Sequence, residues 1–255
     1  IVLFRRSRRG VKLTEAGVSY SRRVATQLDA VERDTLSVMG QQGANVIELA
    51  VVPTFGTQWL LPRLKDFQQR HPDVTVNLTN RTRPFLFADT SFDAAIYFGD
   101  ADWSGTQSHR LMDESPVPVC SPSLLGKQAK LDPQAIAQLP LLQQTTRPYA
   151  WRQWFNSLEM NVARDMTGPR YELFSMLAQA AMHDMGIALI PPFLIQRELE
   201  EGRLVIANPH GLSSIKAYYL MIPERKVESA SLRAFRDWLV TEAQRYAAAH
   251  KDQTD

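Results

Sequence analysis

The residues whose types could do chemistry gather in short runs that follow apolar stretches. Pro53-Thr54-Phe55-Gly56-Thr57 sets two hydroxyls, Thr54 and Thr57, beside backbone N–H groups, which together make a seat for a carboxylate. Asn80-Arg81-Thr82 and Thr145-Thr146-Arg147 each place an arginine beside hydroxyls. The planar fork of Arg81 or Arg147 could clamp an acid through two parallel hydrogen bonds. Phe98-Gly99, Leu173-Phe174-Ser175 and Ile190-Pro191-Pro192 are further runs of this kind, the last placing Pro191 in a facing loop, and Phe55, Phe98 and Phe174 could supply apolar cover. Each residue also has a competing structural use: a threonine can cap a helix start, an arginine can be a solvated loop residue, and a ring can be core. Read together, the runs point to the binding of a small anionic organic molecule, such as an amino acid or another carboxylate.

Catalytic signatures are missing from the sequence. It holds no G-x-G-x-x-G, no G-x-x-x-x-G-K-[ST] and no G-x-S-x-G. Ser213-Ser-Ile-Lys216 matches S-x-x-K but precedes a strand pattern and has no companion motif, so it reads as coincidence. His71, His109, His183, His210 and His250 lie far apart, with no metal-ligand spacing between any two. Cys120 stands among Val and Pro on a buried-type strand, where a thiol is core rather than nucleophile. We therefore expect no catalytic residue, no metal and no cofactor.

The elements that must position these runs follow from periodicity. Ile1 to Leu13 reads as a hairpin with an arginine-rich tip, and Thr14 as the cap of a helix with Glu15 in its first turn. That helix runs to about Met39, with Val24, Leu28, Val31, Thr35 and Val38 at the 4-3-4-3 spacing of a coiled coil, so its narrow apolar stripe needs a partner. Gly40-Gln-Gln-Gly43 closes it. Beyond lie strands at Ile47–Val52, Val74–Leu78, Phe92–Phe98, Val119–Cys120, Leu139–Gln143, Arg164–Thr167, Gly186–Ile190 and Ala217–Ile222. Between them run helices at about Gln58–Arg70, Pro84–Ala88, Tyr149–Leu158, Tyr171–Asp184 and Pro192–Glu201, with a closing helix from Glu228 to about Ala249. Pro53–Thr57 reads as a turn. Such alternation implies α/β lobes with largely parallel sheets, two of them in a hinged, bilobed body. In such lobes ligands bind beyond the carboxyl ends of the strands, which is where the runs above fall.

Length and charge agree with this division. The 255 residues exceed a usual single domain, and 44% of them are hydrophobic. One cysteine excludes an internal disulfide and fits a reducing compartment. No apolar run approaches the ~18 residues of a membrane span. The chain opens on Ile1 rather than Met, and we expect its true N-terminus to lie further upstream. Net charge is +2, yet residues 1–25 carry seven Arg or Lys against Glu15 alone, which leaves the rest mildly acidic. A basic head on an acidic body suggests that the head meets a polyanion.

Leu3-Phe-Arg-Arg-Ser-Arg-Arg-Gly-Val-Lys-Leu-Thr-Glu-Ala-Gly17 resembles the LysR-type transcriptional regulators from the end of the recognition helix, through the wing, into the linker helix. Thr57-Gln-Trp-Leu-Leu-Pro-Arg-Leu64 with Phe67 and His71-Pro72, then Phe92-Asp-Ala-Ala-Ile96, is similar to the start of their effector-binding domain. Met185-Gly-Ile-Ala-Leu-Ile-Pro191, Glu201-Gly-Arg-Leu204 and Leu232-Arg-Ala-Phe-Arg-Asp-Trp-Leu239 continue the likeness, which is nearest to the glycine-cleavage-activator-like branch. Most of the winged helix-turn-helix that such proteins carry would lie before Ile1.

The resemblance implies a periplasmic-binding-protein-like effector domain of two Rossmann-like lobes, preceded by a linker helix and the remnant of a wing. It sets a wing over 1–13, a linker and dimerisation helix over 14–43, a first lobe over 46–117 with 220–249, and a second over 118–219. It implies Arg5, Arg6, Arg8, Arg9 and Lys12 on DNA phosphates, double-stranded DNA bound through the complete N-terminal domain, and a small-molecule effector. It further implies a homodimer or homotetramer, RNA polymerase as a further partner, a cytoplasmic location and no membrane. The rival is an extracytoplasmic solute receptor of the same bilobed fold, which would need neither the basic head nor the pairing helix.

Overall fold

The computed structural model describes residues 1–7, 10–40, 45–224 and 227–249. Arg8, Arg9 and residues 41–43, to which the sequence reading gave roles, lie outside the described residues, as does the side chain of Val38. The chain forms two compact units, Ile1–Val46 and the part from Ile47 onward.

In the first unit, β1 (Phe4–Ser7) and β2 (Gly10–Leu13) form an antiparallel hairpin with Phe4 opposite Leu13 and Arg5 opposite Lys12. Thr14 then starts α1 (Glu15–Gly40): its Oγ1 accepts the Gly17 N–H at 3.0 Å and donates to the Val2 carbonyl at 2.8 Å. The cap thus satisfies an orphan donor of the helix and also ties it to the hairpin. Along the stripe Val24 is half-buried, whereas Leu28 and Val31 are 61% and 60% exposed.

In the second unit, β3 (Asn45–Val51) leads into a π-helical stretch, Phe55–Leu60, which continues without a break into α2 (Leu61–Arg70). Next come β4 (Val74–Asn80), β5 (Ala94–Gly99), β6 (Thr106–Asp113) and β7 (Val117–Cys120). Short helices α3 (Pro122–Leu125) and α4 (Pro133–Gln138) precede β8 (Leu141–Gln144), α5 (Ala150–Asn156), β9 (Arg170–Tyr171), α6 (Phe174–Met182) and β10 (Ile187–Ile190). The chain closes with α7 (Gln196–Glu200), β11 (Val205–Ile206), β12 (Ala217–Pro223) and α8 (Ala230–Ala249).

These strands make two five-stranded sheets, ordered β4-β3-β5-β12-β6 and β11-β7-β10-β8-β9. The chain passes from the first to the second between β6 and β7 and returns before β12. Val117 therefore already belongs to the second sheet, and 217–219 to the first. One core joins buried residues of both sheets, among them Ile47, Ile96, Leu220, Leu142 and Ala188. On α8 the face of Leu232, Phe235, Trp238, Leu239 and Ala243 is buried, and each full burial of such a side chain stabilises by roughly 1.5–3 kcal/mol. A second cluster builds on Trp151, Trp154 and Phe155, and the indole N–H groups of Trp151 and Trp154 donate to the Leu142 and His210 carbonyls. Gly186 enters β10 at φ +148, where a Cβ would lie 2.2 Å from the Pro140 carbonyl oxygen that the Ile187 N–H bonds.

Several expectations are corrected. The sheets are mixed rather than largely parallel: β3 pairs parallel with β5, but β12 runs antiparallel between β5 and β6, and β7 runs antiparallel to both β10 and β11. The turn at Pro53–Thr57 is instead the first turn of the helix, closed by the Gly56 N–H on the Val52 carbonyl. No strand forms at Arg164–Thr167, where turn hydrogen bonds close the chain and Asp165 is buried against Arg152. At Pro84–Ala88 only a 3-10 turn, Phe87–Asp89, is present.

Candidate functional site

A cavity of about 760 Å³ opens between the two sheets of the second unit, beyond the carboxyl ends of β3, β4, β5 and β8. Val52–Phe55 line it after β3, Thr82 and Pro84 after β4, Phe98 at the end of β5, and Gln144 with Thr146–Ala150 at and beyond β8. Leu173 and Phe174 bring the start of α6 to the opposite wall. Strand ends and two helix starts thus converge on one volume, as the parallel pairs of an α/β lobe require.

Thr54 is buried at this junction, and its Oγ1 accepts the backbone N–H of Ser175 at 3.2 Å. Its hydroxyl does not cap its own helix; it satisfies the second amide of α6, an element of the other sheet. Phe55 is buried and stacks on Tyr218, ring centroids 5.0 Å apart.

Arg147 dominates the electrostatics. Its Nε donates to Glu114 Oε1 at 2.6 Å and its Nη2 to Glu114 Oε2 at 2.7 Å, while Nη1 reaches Thr146 Oγ1 at 3.1 Å. The guanidinium carbon lies 4.1 Å from the Phe98 ring centre and 4.9 Å from that of Phe174. Tyr218 donates its hydroxyl to Glu114 Oε2 at 2.7 Å. The Glu114 side chain is 3% exposed and that of Arg147 21%. Burial pushes the Glu114 carboxyl above its ordinary value, opposed by the charge and hydrogen bonds of Arg147 and the hydroxyl of Tyr218. Burial likewise raises the Tyr218 hydroxyl well above its usual value, with Glu114 adding to the shift, so that Tyr218 remains a donor.

Of the residues singled out in the sequence, Thr54, Phe55, Thr82, Phe98, Thr146, Arg147 and Phe174 line the cavity. Four others do not. Thr57 is exposed and donates to the Pro53 carbonyl within its own helix. Arg81 is exposed, stacks over Phe92 at 5.3 Å and donates to the Asn80 carbonyl. Thr145 is exposed and Pro191 is buried outside the cavity, ahead of the 3-10 turn Pro192–Leu194. Of the two candidate clamps, Arg81 lies outside the cavity and the fork of Arg147 is filled by Glu114.

Glu114, Tyr218, Glu172 and Lys216 line the cavity and were missed. Nothing local marks Glu114 within Asp113-Glu-Ser. For Tyr218, the available signal was strand geometry, since every second side chain of Ala217–Ile222 shares a face and the ring falls with Leu220. Lys216 Nζ is 4.0 Å from Asp100 Oδ2 with both side chains half-exposed, a pairing worth little.

Among the described residues no cluster of three His, Cys, Asp or Glu side chains could hold a metal. The Cys120 thiol is buried and pushed up to about 11, which leaves little thiolate at neutral pH. No described helix is long and apolar enough to cross a membrane.

Residues 40–244 match the family described as LysR substrate binding domain. The chain belongs to the LysR family of transcriptional regulators. This LysR regulator is 32% identical over 244 residues to the glycine cleavage system transcriptional activator of Escherichia coli (strain K12), covering 94% of this chain and 79% of the relative. The solved effector domain of the transcriptional regulator AmpR of Pseudomonas aeruginosa superposes with a TM-score of 0.73 at 27% identity, covering 80% of this chain and 98% of that one. CrgA, a LysR-type regulator from Neisseria meningitidis, shares the fold at a TM-score of 0.66 and 21% identity over 95% of this chain and 84% of its own. The matches are regulators, which favours a bilobed effector domain of the periplasmic-binding-protein type over a solute receptor.

Proposed function

We propose that the cavity between the sheets is the effector site of this LysR regulator and that the effector carries a carboxylate. The observation that carries this reading is the convergence of the two helix starts at Pro53–Phe55 and Phe174, with Arg147, Thr146 and Lys216, on a single 760 Å³ volume. Helix N-termini and these cations favour an anionic group, and the aromatic walls of Phe55, Phe98 and Phe174 suit an apolar remainder. Capture calls for no chemical change in the effector, and the chain is assigned no catalysis. Binding between two sheets shifts the equilibrium between their arrangements.

The first unit supplies the other half of the reading. Arg5 and Lys12 are direct cross-strand neighbours on the hairpin, a like-charge pair that weakens the ribbon until a polyanion neutralises it. These side chains, with Arg6, would lie on DNA phosphates, and α1 would pair through Val24, Leu28 and Val31 with a second copy to give a dimer or tetramer. Such a protein would act in the cytoplasm on double-stranded DNA, with RNA polymerase as the downstream partner. Calorimetric titration with a panel of metabolic acids, their amides and matched amines tests the effector class. Acids should bind; binding confined to amines or neutral compounds overturns the assignment.

A further inference from the structure

The cavity already holds a carboxylate, and it belongs to the protein. Glu114 lies in the crossing between β6 and β7, Tyr218 on the returning strand β12, and Arg147 in the loop after β8 of the second sheet. Arg147 thus gives Glu114 the two-pronged contact that an acidic ligand would need, at 2.6 and 2.7 Å, while its faces are closed by Phe98 and Phe174. Of its five N–H donors, three are engaged by Glu114 and Thr146. An incoming acid therefore cannot take the fork while Glu114 remains in it.

We propose that Glu114 is the specificity-determining residue of this site: an internal carboxylate that occupies the Arg147 fork until the effector's carboxylate exchanges for it. This rests on the effector reading above. Once displaced, Glu114 would keep Tyr218 as its hydrogen-bond donor in a nearly closed environment. A buried carboxylate without its cation takes a proton from solvent, so the exchange of anions is coupled to uptake of about one proton. Arg147 and Tyr218 contact Glu114 directly; Glu172 and Lys216 share the cavity wall and complete its charged lining. The exchange also selects ligands, because an acid must do more than approach Arg147. It must outcompete a tethered carboxylate, which excludes weak anions such as chloride and favours acids whose apolar part is held by the aromatic walls. Breaking the Glu114 contact frees the loop after β8 from the crossing strands, which gives acid binding a direct route to the relative position of the two sheets.

The test uses acetate as the probe and acetamide as its neutral control, titrated calorimetrically at pH 7 in two buffers of different ionisation enthalpy. The unaltered chain should bind acetate weakly with uptake of about one proton. Glu114→Gln cannot pair both prongs, since its amide N–H group faces a donor, and should bind acetate roughly tenfold tighter with no proton uptake. Equal acetate affinity in the two proteins with no proton uptake overturns the exchange while leaving a carboxylate effector standing. Acetamide binding as well as acetate overturns both, and a Glu114→Gln variant that takes no acetate although its fork is open overturns the exchange. The proton count on the unaltered chain decides the matter even where the Gln variant does not fold.

Discussion

Thr54 and Ser175, 121 residues apart in sequence, are joined by one hydrogen bond: the Ser175 backbone N–H donates to Thr54 Oγ1 at 3.2 Å. The threonine belongs to the helix after β3 and the serine to the first turn of α6, so the bond ties an element of one sheet to an element of the other at the edge of the cavity. Competing readings of Thr54 as a ligand seat or a helix cap thus merge. The hydroxyl caps a helix, though not its own, and it does so where a ligand would sit.

Thr54→Ala should therefore cost about 1 kcal/mol, because the α6 amide loses its acceptor in a buried setting. For a chain of this size that lowers the melting temperature by roughly 2–4 °C. Thr54→Ser, which keeps the oxygen, should melt within about 1 °C of the unaltered chain. An alanine variant that melts with the unaltered protein would remove any stabilising role from this bond.

Arg147→Met should leave Glu114 buried without its cation. At pH 8 the expected loss is about 2–4 kcal/mol in denaturant unfolding, since one partner of a nearly enclosed pair has been removed. The pH dependence fixes the sign. A carboxyl whose folded value is raised contributes its stability below the unfolded value near 4.5 and loses it as pH rises through the folded value. Removing the arginine raises the folded value further, so the gap between variant and unaltered chain should narrow as pH falls from 8 toward 5. A gap that stays constant over that range would mean that Glu114 is not the group left exposed to the penalty.

On α1, the apolar side chains of Leu28 and Val31 are exposed, and no described residue of the first unit covers them. Replacing both with Glu should convert the assembly to monomers without altering the second unit's melting transition, with sedimentation equilibrium as the readout. An unchanged mass would place the pairing surface on some other element.

The architecture was legible where one physical signal dominates. Buried strands such as Ile187–Ile190 read as continuous apolar runs, and α8 showed its core face at Leu232, Phe235, Trp238 and Leu239 through helical spacing alone. Strand β6 did not, because it is an edge strand: Thr-Gln-Ser-His-Arg is polar throughout and carries no apolar alternation. The direction of β12 was equally hidden. Antiparallel insertion between β5 and β6 depends on where the chain returns from the second sheet, a property of the whole path rather than of Ala217–Pro223.

The site was half legible for a related reason. Thr54, Thr146 and Phe174 follow strands or open helices, so topology alone brings them to the cavity. Arg81 follows a strand as well, yet its side chain turns onto Phe92, a choice made by packing. Glu114 becomes functional only by meeting Arg147 and Tyr218 across separations of 33 and 104 residues, and single-chain spacing carries no trace of such meetings.

The position of a bound acid bears most directly on the account. An acid selected by the calorimetric panel should appear in the crystal structure of its complex between the two sheets, with its carboxylate on Arg147 and Glu114 withdrawn from the fork. An acid found on the outer surface, for instance in the groove beside Met176 and Met185, with Glu114 still paired to Arg147, would contradict it.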